Sequence, residues 1–367
     1  MKIGFDAKRL FNNFTGLGNY SRTLVKNFQQ SFPEHDLHLF SPKLIRNEET
    51  EWFFDESRFT LHECKHPFKG YWRQYQITSL VKKLDLDIYH GLSHELPIGI
   101  EKLNCKTFIS FHDLIYEHYP EQFPLLDRFF YRRKYKSSAF RADQILAISE
   151  STKKDLKEIY GIPENKISVL YQSCQDIFFQ QKTYVKPIKE EHYFLYVGSI
   201  IERKGLLKIV EAQALIPVKS RIPIVIIGSG KDYVQEVKER ISALGLDNDF
   251  LFMKYVENHL LPSYYHFAKA LIFPSVYEGF GIPIIESLLS NTPVITSSIS
   301  SLPEAAGPGG ILVNPSNQNE IAKAMVEISE DEKKAAILST KGRQHVLSKF
   351  TSKVLSQELL KLYQSIK

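Results

Sequence analysis

Short runs of apolar residues alternate with longer, more polar stretches along the first half of this 367-residue chain. Runs of this length predict β-strands, and the stretches between them are long enough for helices. The predicted strands are residues 2–6, 37–40, 88–90, 106–111, 144–149 and 167–170. Strands that alternate with helices in this way are typical of βαβ units and a mainly parallel sheet.

The alternation lapses over the polar residues 175–191, which we interpret as a linker, and then resumes. The predicted strands of the second half are residues 193–197, 224–227, 249–252, 270–273, 293–296 and 310–313. The pattern therefore predicts two α/β domains, residues 1–178 and 179–348. The remaining residues 349–367 include an amphipathic helix at 353–366, which we expect to pack back on the first domain.

Composition agrees with a soluble two-domain protein, since 43% of residues are hydrophobic and 24% are charged. The longest apolar runs, such as residues 222–227, fall far short of the roughly 20 residues that cross a bilayer. No apolar segment typical of a signal peptide follows Lys2. These features predict a cytoplasmic protein.

Charge and cysteine usage argue against two further classes, nucleic-acid-binding proteins and proteins with a structural zinc site. A net charge of +5 without a concentrated basic stripe does not favour nucleic-acid binding. The three cysteines, Cys64, Cys105 and Cys174, are far apart and form no metal-ligating pair, so we expect reduced thiols and no structural zinc.

The most informative stretch is residues 271–286, LIFPSVYEGFGIPIIE. An apolar strand leads through a glycine turn to a helix that we expect to begin near Pro283, because proline suits a first helical turn. A helix start of this kind offers free amides to an anion. Glu278 and Glu286 flank the turn, so a phosphate cradle bordered by acids suggests a sugar nucleotide. The same junction also occurs in α/β proteins without any ligand there.

Other candidate residues follow predicted strands, where ligands of parallel sheets collect. Gly16 and Gly18 form a loop after the first strand, and His112 follows the fourth. In the second half, Arg203 and Lys204 provide two cations suited to a diphosphate. Each has an ordinary structural alternative: a tight turn, a structural histidine and a solvated helix face.

Together these motifs resemble the retaining, GT-B-fold nucleotide-sugar glycosyltransferases of family 4 (group 1), and the likeness covers nearly the whole chain. The most specific match is residues 278–283, EGFGIP, with Glu286; residues 197–205, 296–304 and 148–152 support it. The opening residues 6–20 are similar to those of bacterial mannosyltransferases of surface polysaccharide synthesis. The resemblance implies two Rossmann-like domains that face each other across a cleft.

The resemblance also implies roles for individual residues. Arg203 and Lys204 would bind the donor diphosphate, Glu286 the ribose, and Glu278 the donor sugar, with His112 near the reacting carbon. The further donor-binding residues would be Gly16, Gly18, Gly198, Ser199, Gly279, Phe280, Gly281, Ile282 and, around the base, Lys254, Tyr255 and Val256. The sequence departs from the family pattern at three places: Asn19, Asn291 and residues 172–174.

The implied reaction is transfer of a hexose, with mannose the best guess, from a GDP- or UDP-linked donor to a hydroxyl of a glycan or lipid-linked glycan. No cofactor or metal is expected, because the one DxD sequence, residues 85–87, precedes a strand at the opposite end of the sheet. Alternatives are an epimerase or phosphorylase of the same fold, or a non-catalytic sugar-nucleotide-binding protein. A dinucleotide oxidoreductase fits less well, because residues 16–18 lack the third glycine of its fingerprint.

Two aromatic and basic stretches of the first domain are candidates for further contacts. Residues 66–76 contain the acceptor candidates Trp72, Arg73 and Gln74. The stretch either lines an acceptor groove or caps the core with Trp72 and Tyr75. Residues 127–141 (Asp127 to Arg141) predict a basic, aromatic helix that either lies on the inner face of an anionic membrane or packs on the sheet.

Overall fold

The computed structural model describes residues 1–180 and 183–366, so positions 181 and 182 of the predicted linker lie outside the described residues. The chain forms two compact units. The first comprises Met1–Ser173 and the C-terminal segment from Phe350 onward, and the second comprises Cys174–Lys349. The first unit is therefore built from both ends of the chain.

The first unit contains a seven-stranded parallel sheet in the order β3-β2-β1-β4-β5-β6-β7. Its strands are β1 Lys2–Asp6, β2 Asp36–Ser41, β3 Phe59–Glu63, β4 Ile88–Gly91, β5 Lys106–Phe111, β6 Gln144–Ala147 and β7 Ile167–Val169. Six of them were predicted. Strand β3 was missed because it is a sheet-edge strand in which Phe59 is the one fully buried residue, so no apolar run marks it.

The second unit contains a six-stranded parallel sheet in the order β10-β9-β8-β11-β12-β13. Its strands are β8 Phe194–Val197, β9 Ile224–Ile227, β10 Phe250–Met253, β11 Ala270–Phe273, β12 Val294–Ser297 and β13 Gly310–Val313. Each lies within one residue of its predicted position. The two parallel sheets confirm the predicted α/β class with two Rossmann-like domains.

Helices connect the strands, as parallel pairing requires. In the first unit they are α1 Lys8–Asn12, α2 Gly16–Ser31, α3 Lys69–Tyr71, α4 Ile77–Leu84, α5 Ile115–His118, α6 Leu125–Arg141 and α7 Glu150–Glu158. The later helices are α8 Leu206–Leu215, α9 Asp232–Ala243, α10 Leu261–His266, α11 Ile282–Leu289, α12 Leu302–Ala306, α13 Gln318–Glu330, α14 Glu332–Lys349 and α15 Ser352–Ser365. Among the described residues, none of these helices has the length and apolarity needed to span a membrane.

The apolar runs of the first sheet are continuous because both of its faces are buried. Successive side chains of a strand point to opposite faces. Phe108 accordingly belongs to the core cluster on one face and Ile109 to the cluster on the other. Leu146 and Ile145 divide in the same way. Such strands lack the polar alternation of a half-exposed sheet, which explains why they were easy to predict.

The boundary between the units falls after Ser173, five residues before the predicted position at 178. Phe178 is buried in the second unit, where its ring centroid lies 5.8 Å from that of Tyr265. Tyr184, inside the predicted linker, stacks on His266 at 4.0 Å. Ring contacts therefore attach this mostly polar stretch to the second unit. Hydrophobic periodicity could not predict the attachment, because it depends on a few aromatic residues.

Helix α15 packs on the first unit and completes one of its core clusters. Leu355, Leu359 and Tyr363 are buried among residues of β1, α2 and β5. The Tyr363 hydroxyl lies 2.7 Å from Nδ1 of the buried His90, and the Tyr363 ring packs edge-on against Phe108. The C-terminal residues are thus part of the folded first unit.

We expect Leu359→Ala to lower the free energy of unfolding of the first unit by about 2–5 kcal/mol, because truncation of a buried leucine leaves a cavity. Both tryptophans, Trp52 and Trp72, lie in this unit, so their fluorescence during urea unfolding reports on it. The exposed Gln364 on the same helix provides a control, and Gln364→Ala should change stability by less than about 0.5 kcal/mol. Equal effects of the two substitutions would show that α15 is not part of this core.

Candidate functional site

The turn between β11 and α11 lies at the carboxyl end of the second sheet, as predicted. Helix α11 begins at Ile282 with Pro283 in its first turn, and Gly281 is its N-cap with φ of 119°. Side chains with L configuration rarely adopt this backbone angle. A Cβ at Gly281 would also lie 2.9 Å from Cδ2 of Leu302. Glycine is therefore required for the chain to turn into the helix here.

Glu278 in this turn forms an ion-paired cluster with the two predicted cations. Its Oε1 lies 2.9 Å from Nη1 of Arg203 and 3.5 Å from Nζ of Lys204. The Ser275 hydroxyl donates to the same oxygen at 3.0 Å. All three charged side chains are less than one-fifth exposed. The structure thus brings together residues that are 75 positions apart in the chain.

Electrostatics keep Glu278 ionised. Burial by itself would raise the pKa of this carboxyl, but Lys204 and Arg203 outweigh it and lower the pKa below its ordinary value. Two cations facing one carboxylate leave the cluster with net positive charge. The Arg203 Nε is buried, and among the described residues no acceptor lies within hydrogen-bonding distance of it. The net positive charge of the cluster therefore suits the binding of an anion.

Lys204 reaches the cluster over the end of strand β8. Its Nζ lies 3.0 Å from the place that a Cβ on Gly198 would occupy and 5.0 Å from the centroid of the Phe273 ring. The small residue at 198 leaves room for the ammonium group. Ser199, the next predicted residue, accepts a hydrogen bond from the Tyr196 hydroxyl through its carbonyl at 2.9 Å.

Two serines of the predicted run 296–304 fix the backbone around Glu278. The Ser300 hydroxyl donates to the Glu278 carbonyl at 2.8 Å and accepts from the Glu278 amide at 3.2 Å. The Ser301 hydroxyl lies 2.8 Å from the same carbonyl and 2.9 Å from that of Phe280. The Phe280 side chain is buried, so only its backbone faces the turn. Gly279 lies in the same turn and, as a glycine, offers only its backbone.

Glu286 lies within α11 in a different environment from Glu278. It is buried, and its Oε2 accepts a hydrogen bond from the Tyr265 hydroxyl at 2.9 Å. Burial raises the pKa of Glu286 to about 7, and this hydrogen bond offsets the rise only in part. The neighbouring Cys174 thiol also has its pKa raised, first by burial and then by Glu286. Tyr265 and Cys174 were not predicted, because neither stands in a recognisable motif.

The predicted base-binding residues lie away from the ion-paired cluster. Lys254, Tyr255 and Val256 follow β10, the edge strand, and strands β9 and β8 separate β10 from β11. The Tyr255 ring is 74% exposed. These residues share the carboxyl edge of the sheet with Glu278, and their role in binding a base stays a prediction.

In the first unit, the predicted glycine loop forms the start of α2. The Asn13 side-chain oxygen accepts hydrogen bonds from the amides of Thr15 and Gly18 at 3.0 and 2.9 Å. A Cβ at Gly18 would lie 1.7 Å from the Asn13 carbonyl oxygen, whereas one at Gly16 would meet nothing within 4 Å. The glycine at 18 is therefore needed for the loop itself, and the position at 16 is open.

His112 follows β5 at the carboxyl end of the first sheet, as predicted. Its Nε2 lies 2.9 Å from the Leu92 carbonyl, so this nitrogen carries the proton and donates. Burial lowers the pKa of His112 to about 4, so the ring is neutral at physiological pH. Nδ1 is then an acceptor, which suits a hydroxyl group of a ligand.

The weak acceptor candidates have structural partners. Trp72 is buried in the core, as the alternative interpretation held, although Tyr75 is 48% exposed and does not cap it. Arg73 is buried and ion-pairs with Asp6 at 2.6 Å and with Glu95. The Gln74 amide donates to the Leu96 carbonyl at 3.3 Å. These contacts hold the three side chains within the first unit, and their contact with an acceptor stays a prediction.

No described residues form a cluster of three or more metal-ligating side chains. Asp87, from the DxD sequence, directly precedes β4 and accepts a hydrogen bond at 2.7 Å from the amide of Lys2, the first residue of β1. It therefore lies at the amino-terminal edge of the sheet, as predicted.

Family comparison identifies both units. Residues 14–173 match the model for Glycosyltransferase Family 4, and residues 178–345 match the model for Glycosyl transferases group 1. The chain belongs to the group 1, family 4 glycosyltransferases. The glycosyltransferase motifs at Glu278 and at Arg203 both fall in the group 1 match.

Named relatives agree with this assignment. The chain is 26% identical over 365 residues to O-antigen chain mannosyltransferase B of Escherichia coli, covering 93% of this chain and 94% of that relative. It is 29% identical over 245 residues to O-antigen chain mannosyltransferase RfbU of Salmonella typhimurium, covering 64% and 67%. It is 28% identical over 250 residues to the capsular polysaccharide biosynthesis glycosyltransferase CapM of Staphylococcus aureus, covering 63% of each chain.

Solved structures show the same fold. A glycosyltransferase from Rickettsia africae superposes with a TM-score of 0.75 at 20% identity, covering 100% of this chain and 98% of that one. Anabaena HepE, solved in complex with UDP and glucose, superposes with a TM-score of 0.75 at 16% identity over the full length of both chains. The chain thus has the GT-B glycosyltransferase fold.

We expect Gly281→Ala to destabilise the second unit by about 1–3 kcal/mol, because it adds both backbone strain and a close contact with Leu302. Gly245→Ala is the matched control, since Gly245 also has positive φ, at 64°, but a Cβ there would meet nothing within 4 Å. Scanning calorimetry measures both variants. A Gly281→Ala protein no less stable than the control would contradict the packing described for this turn.

Proposed function

We propose that the protein transfers a hexose from a nucleoside-diphosphate sugar to an acceptor hydroxyl with retention of anomeric configuration. The observation that carries this proposal is the buried cluster of Arg203, Lys204 and Glu278 beside the start of α11. It combines net positive charge with the amides of a helix start. A diphosphate has the charge and the oxygen acceptors that such a cluster recognises.

The same cluster suits the chemical step. As the bond between the anomeric carbon and the diphosphate breaks, negative charge develops on the departing phosphate oxygen. Cations fixed beside that oxygen stabilise this charge, and their effect is large in a site that excludes water. Arg203 and Lys204 are held in place by Glu278, so they need little reorganisation when the reaction occurs.

Glu278 itself is better suited to binding than to nucleophilic attack. Its Oε1 is engaged by Arg203, Lys204 and Ser275, which lower the nucleophilicity of the carboxylate. We infer that Glu278 and the backbone of residues 279–282 hold the donor sugar. The acceptor oxygen then bonds to the anomeric carbon on the face from which the diphosphate leaves, and the acceptor proton passes to the departing phosphate oxygen. The products are a glycoside and a nucleoside diphosphate.

Glu286 is proposed to bind the ribose of the donor. One carboxylate oxygen is fixed by the Tyr265 hydroxyl, which orients the group within α11. Two vicinal ribose hydroxyls can donate to such a carboxylate. His112, neutral with Nδ1 as acceptor, is proposed to receive a hydroxyl of the hexose, and the open position at Gly16 to approach the phosphates.

The identity of the substrates rests on the relatives. The names of the E. coli and S. typhimurium proteins support mannose as the transferred sugar. GDP-mannose is our proposal for the donor. Those names and that of CapM support a role in surface polysaccharide synthesis. A glycan or lipid-linked glycan is our proposal for the acceptor. The UDP complex of HepE supports a nucleotide-linked donor in general.

We expect Lys204→Ala to lower turnover with GDP-mannose by about 100-fold or more, because it removes a cation from the departing phosphate. Arg203→Ala should act similarly and also lose the hydrogen bond from its guanidinium to the Tyr277 carbonyl. Release of GDP in the presence of a glycan acceptor measures turnover, and parallel reactions with UDP-glucose test the choice of donor.

Lys208→Ala is the control for these variants, since Lys208 lies on the following helix and pairs with Glu211 rather than Glu278. It should retain full turnover. Near-normal rates for Lys204→Ala and Arg203→Ala would refute the proposed role of the cluster. Donor binding by the unchanged protein without release of GDP on any acceptor would favour a non-catalytic sugar-nucleotide-binding protein.

Donor affinity should weaken as pH falls through about 7, because the carboxylate of Glu286 accepts two ribose hydroxyls and its protonated form accepts fewer. The raised pKa of Glu286 affects stability in the opposite direction. Between about pH 4.5 and 7 the folded protein holds a proton that the unfolded chain releases. The contribution of this group to stability therefore falls as pH rises over that interval. Titration calorimetry with GDP at several pH values measures the affinity.

Glu286→Gln separates the two effects. It should weaken GDP binding at pH 8 and remove this pH dependence, while leaving the protein at least as stable at pH 8 as the unchanged chain, because a buried charge is gone. An affinity that is independent of pH between 6 and 8 in the unchanged protein would contradict the proposed role.

A further inference from the structure

Four buried side chains form a continuous series of hydrogen bonds through the core of the first unit. The Tyr363 hydroxyl on α15 lies 2.7 Å from Nδ1 of His90 on β4, and Nε2 of His90 lies 2.8 Å from the Ser110 hydroxyl on β5. The Tyr20 hydroxyl on α2 lies 2.8 Å from the same Ser110 oxygen. All four side chains are buried. We call these four residues the buried network.

His90 connects the two sides of the buried network because it is neutral. Burial lowers the pKa of His90 to about 3. A neutral imidazole has one donor nitrogen and one acceptor nitrogen, so it pairs with two hydroxyl groups at once. The Ser110 hydroxyl has one proton to donate and accepts from other donors, so it links His90 to Tyr20. The four groups therefore satisfy one another without a buried charge.

The Tyr20 end of the buried network lies against His112. The two rings are nearly perpendicular, at 87°, and their centroids are 4.5 Å apart. Aromatic rings in contact prefer an edge-to-face arrangement of this kind. The Tyr20 ring therefore restricts how the His112 imidazole can turn about its side-chain bonds.

A second histidine, His94, supports His112 from another side. Its Nε2 accepts a hydrogen bond from the His112 amide at 2.9 Å, and its ring centroid lies 5.2 Å from that of His112. The His94 amide donates to the Ser110 carbonyl at 3.0 Å. His94 has φ of 56°, which residues other than glycine rarely adopt and which persists only where the surrounding contacts impose it. Ser110 is therefore connected to His112 through both Tyr20 and His94.

Paired hydroxyls are not a general property of the buried tyrosines in this unit. Tyr89, Tyr116 and Tyr160 are also buried, and among the described residues their hydroxyls have no hydrogen-bond partner. Phenylalanine would fill the same space at positions 20 and 363, so packing alone does not account for the two hydroxyls there. A buried polar network whose members are all satisfied fixes a single arrangement of them.

We propose that the buried network positions the His112 imidazole for its contact with the donor hexose. Tyr20 and Tyr363 are then positioning residues, which act on the transferred sugar through His112. Because Nε2 of His112 is bound to the Leu92 carbonyl, the turn of the ring decides where the acceptor Nδ1 lies. The proposal rests on the function proposed above for His112, and it gives helix α15 a part in the reaction as well as in the core.

The first test removes single hydroxyl groups and keeps the rings. Tyr20→Phe and Tyr363→Phe should each lower kcat for hexose transfer about three- to tenfold, because loss of one hydrogen bond lets the His112 ring leave its productive orientation. The affinity for GDP, measured by titration calorimetry, should stay unchanged, since GDP has no hexose. Tyr160→Phe is the matched control: it removes a hydroxyl that has no partner among the described residues, and it should retain full turnover.

A double-mutant cycle separates positioning of His112 from general support of the fold. His112→Ala should lower turnover by itself. Because the buried network acts through His112, adding Tyr363→Phe to His112→Ala should cause less than about a twofold further loss of turnover. The effects of two independent substitutions would instead multiply.

The ring signals of His112 provide a readout that needs no substrate. In protein with nitrogen-labelled histidine, nuclear magnetic resonance detects both ring nitrogens, and His112→Ala identifies the His112 signals by their loss. Tyr20→Phe and Tyr363→Phe should shift or broaden these signals, whereas Tyr160→Phe should not. Failure of the unchanged protein to release GDP would refute the proposed function, and the His112 signals would still decide whether the buried network holds the ring.

Three results would overturn the proposal. One is an unchanged set of His112 signals in both Tyr20→Phe and Tyr363→Phe. Another is a loss of GDP affinity that equals the loss of turnover, which would show a general disturbance of the fold. The third is a cycle in which the effects of Tyr363→Phe and His112→Ala on turnover multiply.

Discussion

The ion-paired carboxylate of Glu278 is the constraint on which the arrangement at the carboxyl end of the second sheet depends. A buried carboxylate is costly unless it is paired, and pairing with Arg203 and Lys204 holds it ionised. The same pairing fixes both cations at the end of strand β8. The glycine turn, the serines at 300 and 301 and the start of α11 then keep the carboxylate where the cations are. A rigid set of charges results, which is what electrostatic catalysis of phosphate departure needs.

The two glutamates of the motif differ in the charge they face. Glu278 meets two cations and its pKa falls, whereas Glu286 receives a neutral hydroxyl from Tyr265 and burial raises its pKa to about 7. Environments that move two similar groups in opposite directions usually assign them different tasks. Glu278 holds the two cations together beside the start of α11. Glu286 carries no such ion pair among the described residues, and its proposed task is recognition of hydroxyl groups.

In the first unit, His112 at the end of β5 is neutral, and the charge of Asp6 at the end of β1 is compensated by Arg73. Burial keeps His112 uncharged, and the charge of Arg73 is compensated within the fold by Asp6 and Glu95. These buried groups therefore stabilise the fold, and the contact of His112 with the donor sugar is a proposal.

The sequence by itself determined the two parallel sheets, because strands buried on both faces appear as continuous apolar runs, and it determined the motif residues, because glycine turns at strand ends restrict the residue types. It did not reveal β3, whose edge position leaves most of its side chains partly exposed, or the attachment of Phe178 to the second unit. The hydrogen bond from Tyr265 to Glu286 and the outward turn of Phe129 were decided only by the tertiary structure. The local pattern indicates which residues prefer burial. The pairing of side chains depends instead on how segments far apart in the chain pack together.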